Sequence, residues 1–187
     1  GGGYNSAVGE VATVGGGGYN SAGGQNATVG GGYSNDASGQ TAAIGGGSDN
    51  TAAGWSSTVG GGSDNSADDG GATVGGGDRN TANGDSATVA GGELNVASGL
   101  VATVGGGVSN GASGDYSTIG GGSGNSASDG GATVGGGYSN SATGDSTLCR
   151  RRFSARVRRR SACSRMKPPA SPWLKMSSAS KVAVSRS

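Results

Sequence analysis

The amino-acid sequence predicts an all-β fold, a parallel β-solenoid of about ten 15-residue coils that spans residues 1–147. Three observations predict it: a repeat of constant length, columns of identical residues within that repeat, and a shortage of bulky side chains. Glycine supplies 45 of the 187 residues, aromatic residues make up 4% and charged residues 13%. Because a packed globular core needs large apolar side chains, this composition argues against an enzyme of ordinary fold.

The repeat runs for ten units without insertion or deletion. The unit that begins at Gly30 reads GGGYSNDASGQTAAI, and the unit that begins at Gly105 reads GGGVSNGASGDYSTI. The consensus is G-G-G-x-x-N-x-A-x-G-x-x-[AS]-T-[VI], whose positions we number 1 to 15. Glycine triplets disfavour a helix, at about 1 kcal/mol per glycine relative to alanine, and collagen would need glycine at every third position. A flexible glycine-rich linker is the remaining alternative, but a linker does not keep one asparagine in register through ten units.

Asparagine occupies position 6 in every unit. Stacked side-chain amides can donate to and accept from each other in successive coils, which avoids a cost of about 1–3 kcal/mol for each buried unpaired group. We therefore predict a buried asparagine ladder, with a surface role for the column as the alternative. The predicted ladder consists of Asn5, Asn20, Asn35, Asn50, Asn65, Asn80, Asn95, Asn110, Asn125 and Asn140.

Each coil is predicted to contain two short strands, N-x-A and [AS]-T-[VI]. Side chains alternate along a strand, so Asn and Ala of the first strand and Ala and Val of the second are assigned to the interior. The Thr at position 14 then points outward, and both the glycine triplet and the glycine at position 10 form turns that need positive φ. Ten coils stacked about 4.8 Å apart would make a rod of roughly 48 Å. The predicted structural core consists of Val14, Val29, Ile44, Val59, Val74, Val89, Val104, Ile119 and Val134.

This core is thin for a single chain. Each coil buries about two Ala and one Val, at roughly 0.8 kcal/mol per CH₂, while ordering each residue costs about 1–2 kcal/mol. Association with identical chains is the natural remedy, so we predict an oligomer.

The unit N-x-A-x-G-x-x-[AS]-T-[VI]-G resembles the Hep/Hag repeat in the heads of YadA-like trimeric autotransporter adhesins. The resemblance covers residues 1–147 and is clearest in the units that begin at Gly30 and Gly105. It implies a left-handed β-roll, a homotrimer, the outer-membrane surface of a bacterium as location, and an extracellular-matrix or cell-surface ligand. The ligand-binding residues stay unknown. The unit here is one residue longer than the familiar one, with an extra glycine in the turn.

An adhesin head segment is therefore the predicted function, and a spacer in a phage tail fibre or another surface fibre is the alternative. The Thr column raises ice binding as a more remote possibility, although one row of Thr is narrow for that purpose. Without histidine, the usual general acid and base is missing, so we predict no enzyme, no cofactor and no metal. Asp68 and Asp69 are interpreted as solvated surface charge.

Exposed aromatic residues can anchor a partner, and several stand at turn positions of the repeat. We interpret them as incidental turn packing, with partner binding as the alternative. These residues are Tyr4, Tyr19, Tyr33, Tyr138 and Trp55.

Residues 148–187 differ sharply from the repeat. All twelve acidic residues precede them, balanced only by Arg79, so residues 1–147 carry a net charge of −11, and the other twelve basic residues lie in the tail. Arg150, Arg151 and Arg152 stand where the next glycine triplet is due, and Cys149 stands where Val is due. Codons GGC read one base out of frame become CGG, which encodes Arg.

We therefore favour a shift of reading frame near Thr147 over a genuine basic tail that binds phosphate or nucleic acid. On that account the tail is disordered, Cys149 and Cys163 are no disulfide framework, and nucleic acid is no partner. The chain contains no run of 18 apolar residues that could form a membrane segment. It begins with Gly1 rather than Met, from which we expect a fragment of a longer protein.

Overall fold

The computed structural model describes residues 2–144, 147–150 and 162–165. These residues form a parallel β-solenoid that has no helix in the described part of the chain, which confirms the predicted fold class. Successive coils pair in parallel with an offset of one repeat: Thr58 pairs with Thr73, and Val59 pairs with Val74. Every coil therefore repeats the backbone path of the one before it.

The first sheet has ten strands and passes through positions 7 and 8 of each coil. We call it the Ala sheet, because each strand ends in the Ala that follows the asparagine column. Its strands are Ser6–Ala7, Ser21–Ala22, Asp36–Ala37, Thr51–Ala52, Ser66–Ala67, Thr81–Ala82, Val96–Ala97, Gly111–Ala112, Ser126–Ala127 and Ser141–Ala142.

The second sheet has eleven strands and passes through positions 14 and 15. We call it the Val sheet. Its strands are Thr13–Val14, Thr28–Val29, Ala43–Ile44, Thr58–Val59, Thr73–Val74, Thr88–Val89, Thr103–Val104, Thr118–Ile119, Thr133–Val134, Thr147–Arg150 and Ala162–Arg165.

A third extended column, which the sequence analysis did not predict, follows the glycine triplet. It begins with the paired strands Gly2–Gly3 and Gly17–Gly18 and continues as single parallel bridges from Gly18 to Tyr138. Each coil therefore has three sides rather than two. Position 4 carries Gly, Tyr, Ser, Asp, Glu or Val in different coils. Because no single residue type is constant there, the sequence pattern does not predict a strand at this position.

The interior is built by four columns that all lie within one chain. The asparagine at position 6, the Ala at position 8, the Ala or Ser at position 13 and the Val or Ile at position 15 are buried in the coils from Ala22 to Ala142. Val29 to Val134 of the predicted core are at most 1% exposed, and Val14 in the first coil is half-buried. The predicted inward faces are therefore confirmed.

The two glycine turns differ in their chemistry, and the prediction for the second turn was wrong. In the triplet, the third glycine has positive φ as predicted, for example 94° at Gly32. The glycine at position 10 does not have positive φ. In most coils it is required for space, because a Cβ on a residue such as Gly39 would overlap the carbonyl oxygen of Gly54 in the next coil. Asp69 and Asp129 replace this glycine in two coils.

Positive φ at the second turn belongs instead to position 12, and a matching column precedes the asparagine at position 5. At both positions non-glycine residues adopt left-handed conformations, such as Ser34 with φ of 56° and Val101 with φ of 54°. Their backbone N–H groups donate to the preceding coil, as Ser34 N does to Gly18 O at 2.9 Å. The backbone N–H groups of strand residues donate to the following coil instead. The direction of hydrogen bonding between coils is therefore reversed at positions 5 and 12, which form the corners.

The strand Thr147–Arg150 extends the Val sheet, with Leu148 paired to Thr133 and Cys149 paired to Val134. The strand Ala162–Arg165 pairs with it in antiparallel orientation and places Cys163 opposite Cys149 in the backbone register. The rest of residues 148–187, and with it most of the predicted disordered tail, lies outside the described residues.

Candidate functional site

The asparagine ladder is the most regular polar feature of the interior. Each side-chain Oδ1 accepts two hydrogen bonds from the asparagine of the next coil: Asn80 Oδ1 accepts the backbone N–H of Asn95 at 3.0 Å and its Nδ2 at 3.1 Å. The same Nδ2 of Asn95 lies 3.0 Å from Gly91 O in its own coil and 2.9 Å from Gly107 O in the next. From Asn20 to Asn140 the residues are at most 2% exposed.

This arrangement satisfies both polar atoms of every amide and also pairs carbonyl groups of the glycine triplet. Because a buried carbonyl without a partner would be costly, the ladder explains how a turn of three glycines can lie against the core. The predicted ladder is therefore present with all ten residues, although Asn5 in the first coil is only half-buried. Its role is structural, and its amides are occupied within the chain.

The Thr column forms a single outward row on the Val sheet. Thr28, Thr58 and Thr118 are exposed, and Thr73, Thr88 and Thr103 are half-buried, whereas their neighbours at positions 13 and 15 are buried. The face therefore carries one row of hydroxyl and methyl groups, flanked by the exposed first residue of each triplet. The ice-binding hypothesis would have to rest on this row alone.

Charge is confined to one part of each coil. In residues 2–144 the eleven acidic residues and Arg79 occupy positions 4 to 11, and positions 12 to 15 and 1 to 3 carry no charged residue. Arg79 bridges Asp78 at 2.8 Å and Glu93 at 2.9 Å, with about half of its side chain exposed. Its hydrogen bond to Asp78 raises the pKa of Arg79, so the guanidinium stays charged. The Val sheet thus presents an uncharged face on an acidic rod.

The tyrosines near the amino-terminal end, which the sequence analysis interprets as turn packing, contact one another. Tyr4 and Tyr19 stack with ring centroids 5.1 Å apart, and Tyr33 meets Tyr19 edge-on at 5.4 Å. The three rings belong to consecutive coils, and the Tyr33 ring packs over Gly18. Tyr138 lies far along the rod and has no aromatic contact among the described residues.

Two buried hydroxyl groups lack partners. Ser57 and Ser117 replace Ala at position 13, are 0% exposed, and their Oγ atoms make no hydrogen bond within the chain. They stand four coils apart, and the sequence shows them as the only serines in the position 13 column. That departure from alanine is the signal that could have identified them.

The described residues hold no cluster of three metal-ligating side chains and no helix long and apolar enough to cross a bilayer. Asp68 and Asp69 are exposed, and they accept local hydrogen bonds from the Ser66 hydroxyl and the Gly70 N–H. The candidate functional surfaces are therefore the exposed columns.

No protein-family model matches the chain, and no curated protein is similar to it in sequence.

Proposed function

We propose that this protein is the adhesive head segment of a bacterial cell-surface protein. The observation that supports this function is the contrast between a constant interior and a variable exterior. Position 6 is Asn in every coil and is buried, while position 4 changes from Tyr33 to Ser48, Asp78 and Val108 along the same rod. A scaffold that tolerates different side chains along an outer column is suited to display binding groups along its length.

Self-association into a homotrimer belongs to the same proposal. The buried Ala and Val columns are already covered inside one chain, so association would use an outward face. The uncharged face of the Val sheet is suitable, because acidic rods that meet there keep their like charges apart. Sedimentation of the purified full chain should report three copies, and a monomer at every concentration would contradict the trimer.

Adhesion can be tested with fluorescent microspheres that carry the purified full chain. We expect these microspheres to bind immobilised extracellular-matrix proteins or cultured epithelial cells more strongly than microspheres that carry albumin. Equal binding of the two kinds of microsphere to every surface would contradict the adhesin proposal. In that case a spacer in a phage tail fibre or another surface fibre, which needs only the uniform rod, would be favoured.

A further inference from the structure

The turn at positions 10 to 12 carries a local departure from the repeat around Gly70. In most coils position 10 is a buried glycine and position 11 carries a side chain, but the chain here reads Asp69-Gly70-Gly71. Gly71 takes the left-handed conformation with φ of 66°. A Cβ on Gly70 would meet only one atom within 4 Å, Asp85 Oδ2 at 3.9 Å. This coil, like that of Gly130, therefore has no side chain at position 11. The exposed Asp69 stands beside Gly70, and its Oδ1 accepts the Gly70 N–H at 2.8 Å.

The side chains on either side of this gap are of different kinds. Trp55 occupies position 11 one coil earlier and is 64% exposed. Asp85 occupies position 11 one coil later, and its Oδ1 accepts the Ser86 hydroxyl at 2.8 Å. We call Trp55, Gly70, Gly71 and Asp85 the Gly70 slot. Since coils stack about 4.8 Å apart, the slot is one coil high, which is close to the size of one pyranose ring.

A ladder of polar side chains leads up to the slot along the same edge. Gln40 Nε2 donates to Gln25 Oε1 at 2.8 Å, and Gln25 Nε2 donates to Glu10 Oε2 at 2.8 Å. The backbone beneath is fixed as well, since Ser56 N donates to Gln40 O at 2.8 Å. These amides are held in place before any ligand arrives, which lowers the entropic cost of binding.

The requirements of folding explain the residue types in the regular columns. They do not explain the residue types at position 11 around the slot. Position 11 carries Leu100 and Asp115 in later coils, so the fold does not require glutamine or tryptophan there. An exposed tryptophan beside oriented amides and a carboxylate combines an apolar ring with hydrogen-bonding groups, as binding sites for polar ligands with apolar faces do. In residues 2–144 the only cation is Arg79, at position 5 on another corner, so an anionic ligand would find no partner.

We propose that the Gly70 slot binds one pyranose ring of a neutral linear glycan, whose neighbouring sugars lie along Gln40 and Gln25. Trp55 contacts the apolar face of the ring, and Asp85 and the glutamine amides bind its hydroxyl groups. This inference rests on the proposed adhesive function, for which it names the class of ligand.

The test is the fluorescence of Trp55, measured on the full chain with Trp173→Phe so that a single tryptophan reports. The probes are linear hexaoses of glucose, N-acetylglucosamine and mannose at millimolar concentrations. We expect at least one hexaose to change the emission saturably and to the same extent in high salt. If no hexaose changes it, the proposal is wrong. If binding disappears in high salt, a cationic ligand held by the carboxylates is indicated and the glycan proposal is overturned.

Substitutions in and outside the slot show where the hexaose binds. Its binding to each variant is measured by calorimetry. Gly70→Leu, whose Cβ would meet only Asp85 Oδ2 at 3.9 Å, fills the slot and should abolish binding, and Trp55→Ala should weaken it by about tenfold or more. Gly130→Leu is the matched control, because the Asp129-Gly130-Gly131 turn repeats the same chemistry with Asp115 rather than Trp at position 11 of the preceding coil. Gly130→Leu should bind normally. Equal effects of the two leucine variants would contradict the slot.

The same variants separate this inference from the adhesin proposal. Microspheres that carry Gly70→Leu and still adhere as well as wild type would refute the slot as the adhesive site and leave the adhesin standing. Hexaose binding that Gly70→Leu abolishes, in a chain that adheres to no surface, would support the slot and refute the adhesin.

Discussion

The asparagine column and the threonine column are almost equally regular in the sequence, yet they lie in opposite environments. Asn occurs in all ten coils, and from Thr13 to Thr133 position 14 is Thr in every coil except that of Ala43. Asn80 is 0% exposed and fully hydrogen-bonded inside the rod. Thr88, on the neighbouring sheet, points outward and is half-buried.

The comparison teaches that a regular column in a repeat protein is not necessarily a buried one. The asparagine is constant because each amide needs the amide of the next coil as partner, so one exception would leave two coils unsatisfied. Threonine suits any exposed strand because a β-branched side chain packs well on a pleated surface. The second outward strand position, at Ser66, Thr81 and Val96 of the Ala sheet, varies freely. The Thr row is therefore stricter than strand propensity alone explains.

The largest effect is expected when the buried column is interrupted. Asn80→Leu removes the acceptor of Asn95 and forces a larger side chain between alanine columns, which should lower the free energy of unfolding by roughly 2–5 kcal/mol. Thr88→Ser should lower it by less than about 1 kcal/mol. Thermal melts followed by circular dichroism measure both variants. Equal losses would show that the two columns are not distinguished by burial.

The glycines allow the same comparison between inside and outside. A Cβ on Gly99 would overlap the carbonyl oxygen of Gly114, whereas a Cβ on Gly111 has open space. Gly99→Ala should therefore destabilise the rod by about 1–3 kcal/mol through overpacking. Gly111→Ala should stabilise it by about 0.4–1 kcal/mol, because the unfolded chain loses freedom. Denaturant unfolding of the two variants tests this, and a stable Gly99→Ala rod would contradict the close approach of the coils.

A small effect in the direction of greater stability is expected at the two buried serines. Ser57→Ala and Ser117→Ala each remove a hydroxyl without a partner, so each should raise the free energy of unfolding by about 1 kcal/mol. Ala72→Ser, at the same position of a neighbouring coil, is the matched control and should lower it by a similar amount. If Ser57→Ala instead destabilises the chain, its hydroxyl has a partner such as a buried water.

Much of the interior could be predicted from the sequence, because a column in a solenoid is visible as a period. The period gave the offset between paired strands, and alternation gave the inward faces of Asn35, Ala37 and Ile44. The third side of the coil escaped prediction because its backbone pairs through residues as different as Tyr33 and Asp78. Backbone hydrogen bonds do not depend on side-chain identity, so such a column leaves no pattern.

The candidate site was only partly predictable. The repeat places Trp55 at a turn, where an exposed side chain is expected, but no sequence pattern distinguishes Gly70 from the other glycines. The proposed role of Gly70 depends on Trp55 and Asp85. These two residues lie one repeat to either side of Gly70 in the sequence and become its neighbours only when the coils stack. The same reason explains why the contact between Tyr4 and Tyr19 was missed.

The sequence by itself determined the period, the coil as the unit of folding and the asparagine ladder, since all of these follow from residues repeated at one spacing. Only the tertiary structure decided why each glycine is there. Gly32 belongs to a column that is glycine in every unit, and Gly39 to one that is glycine in all units except those of Asp69 and Asp129. Gly32 is needed for its φ of 94° and Gly39 for the space beside Gly54. Backbone conformation and the approach of the next coil are both properties of the stacked chain, and composition does not distinguish them.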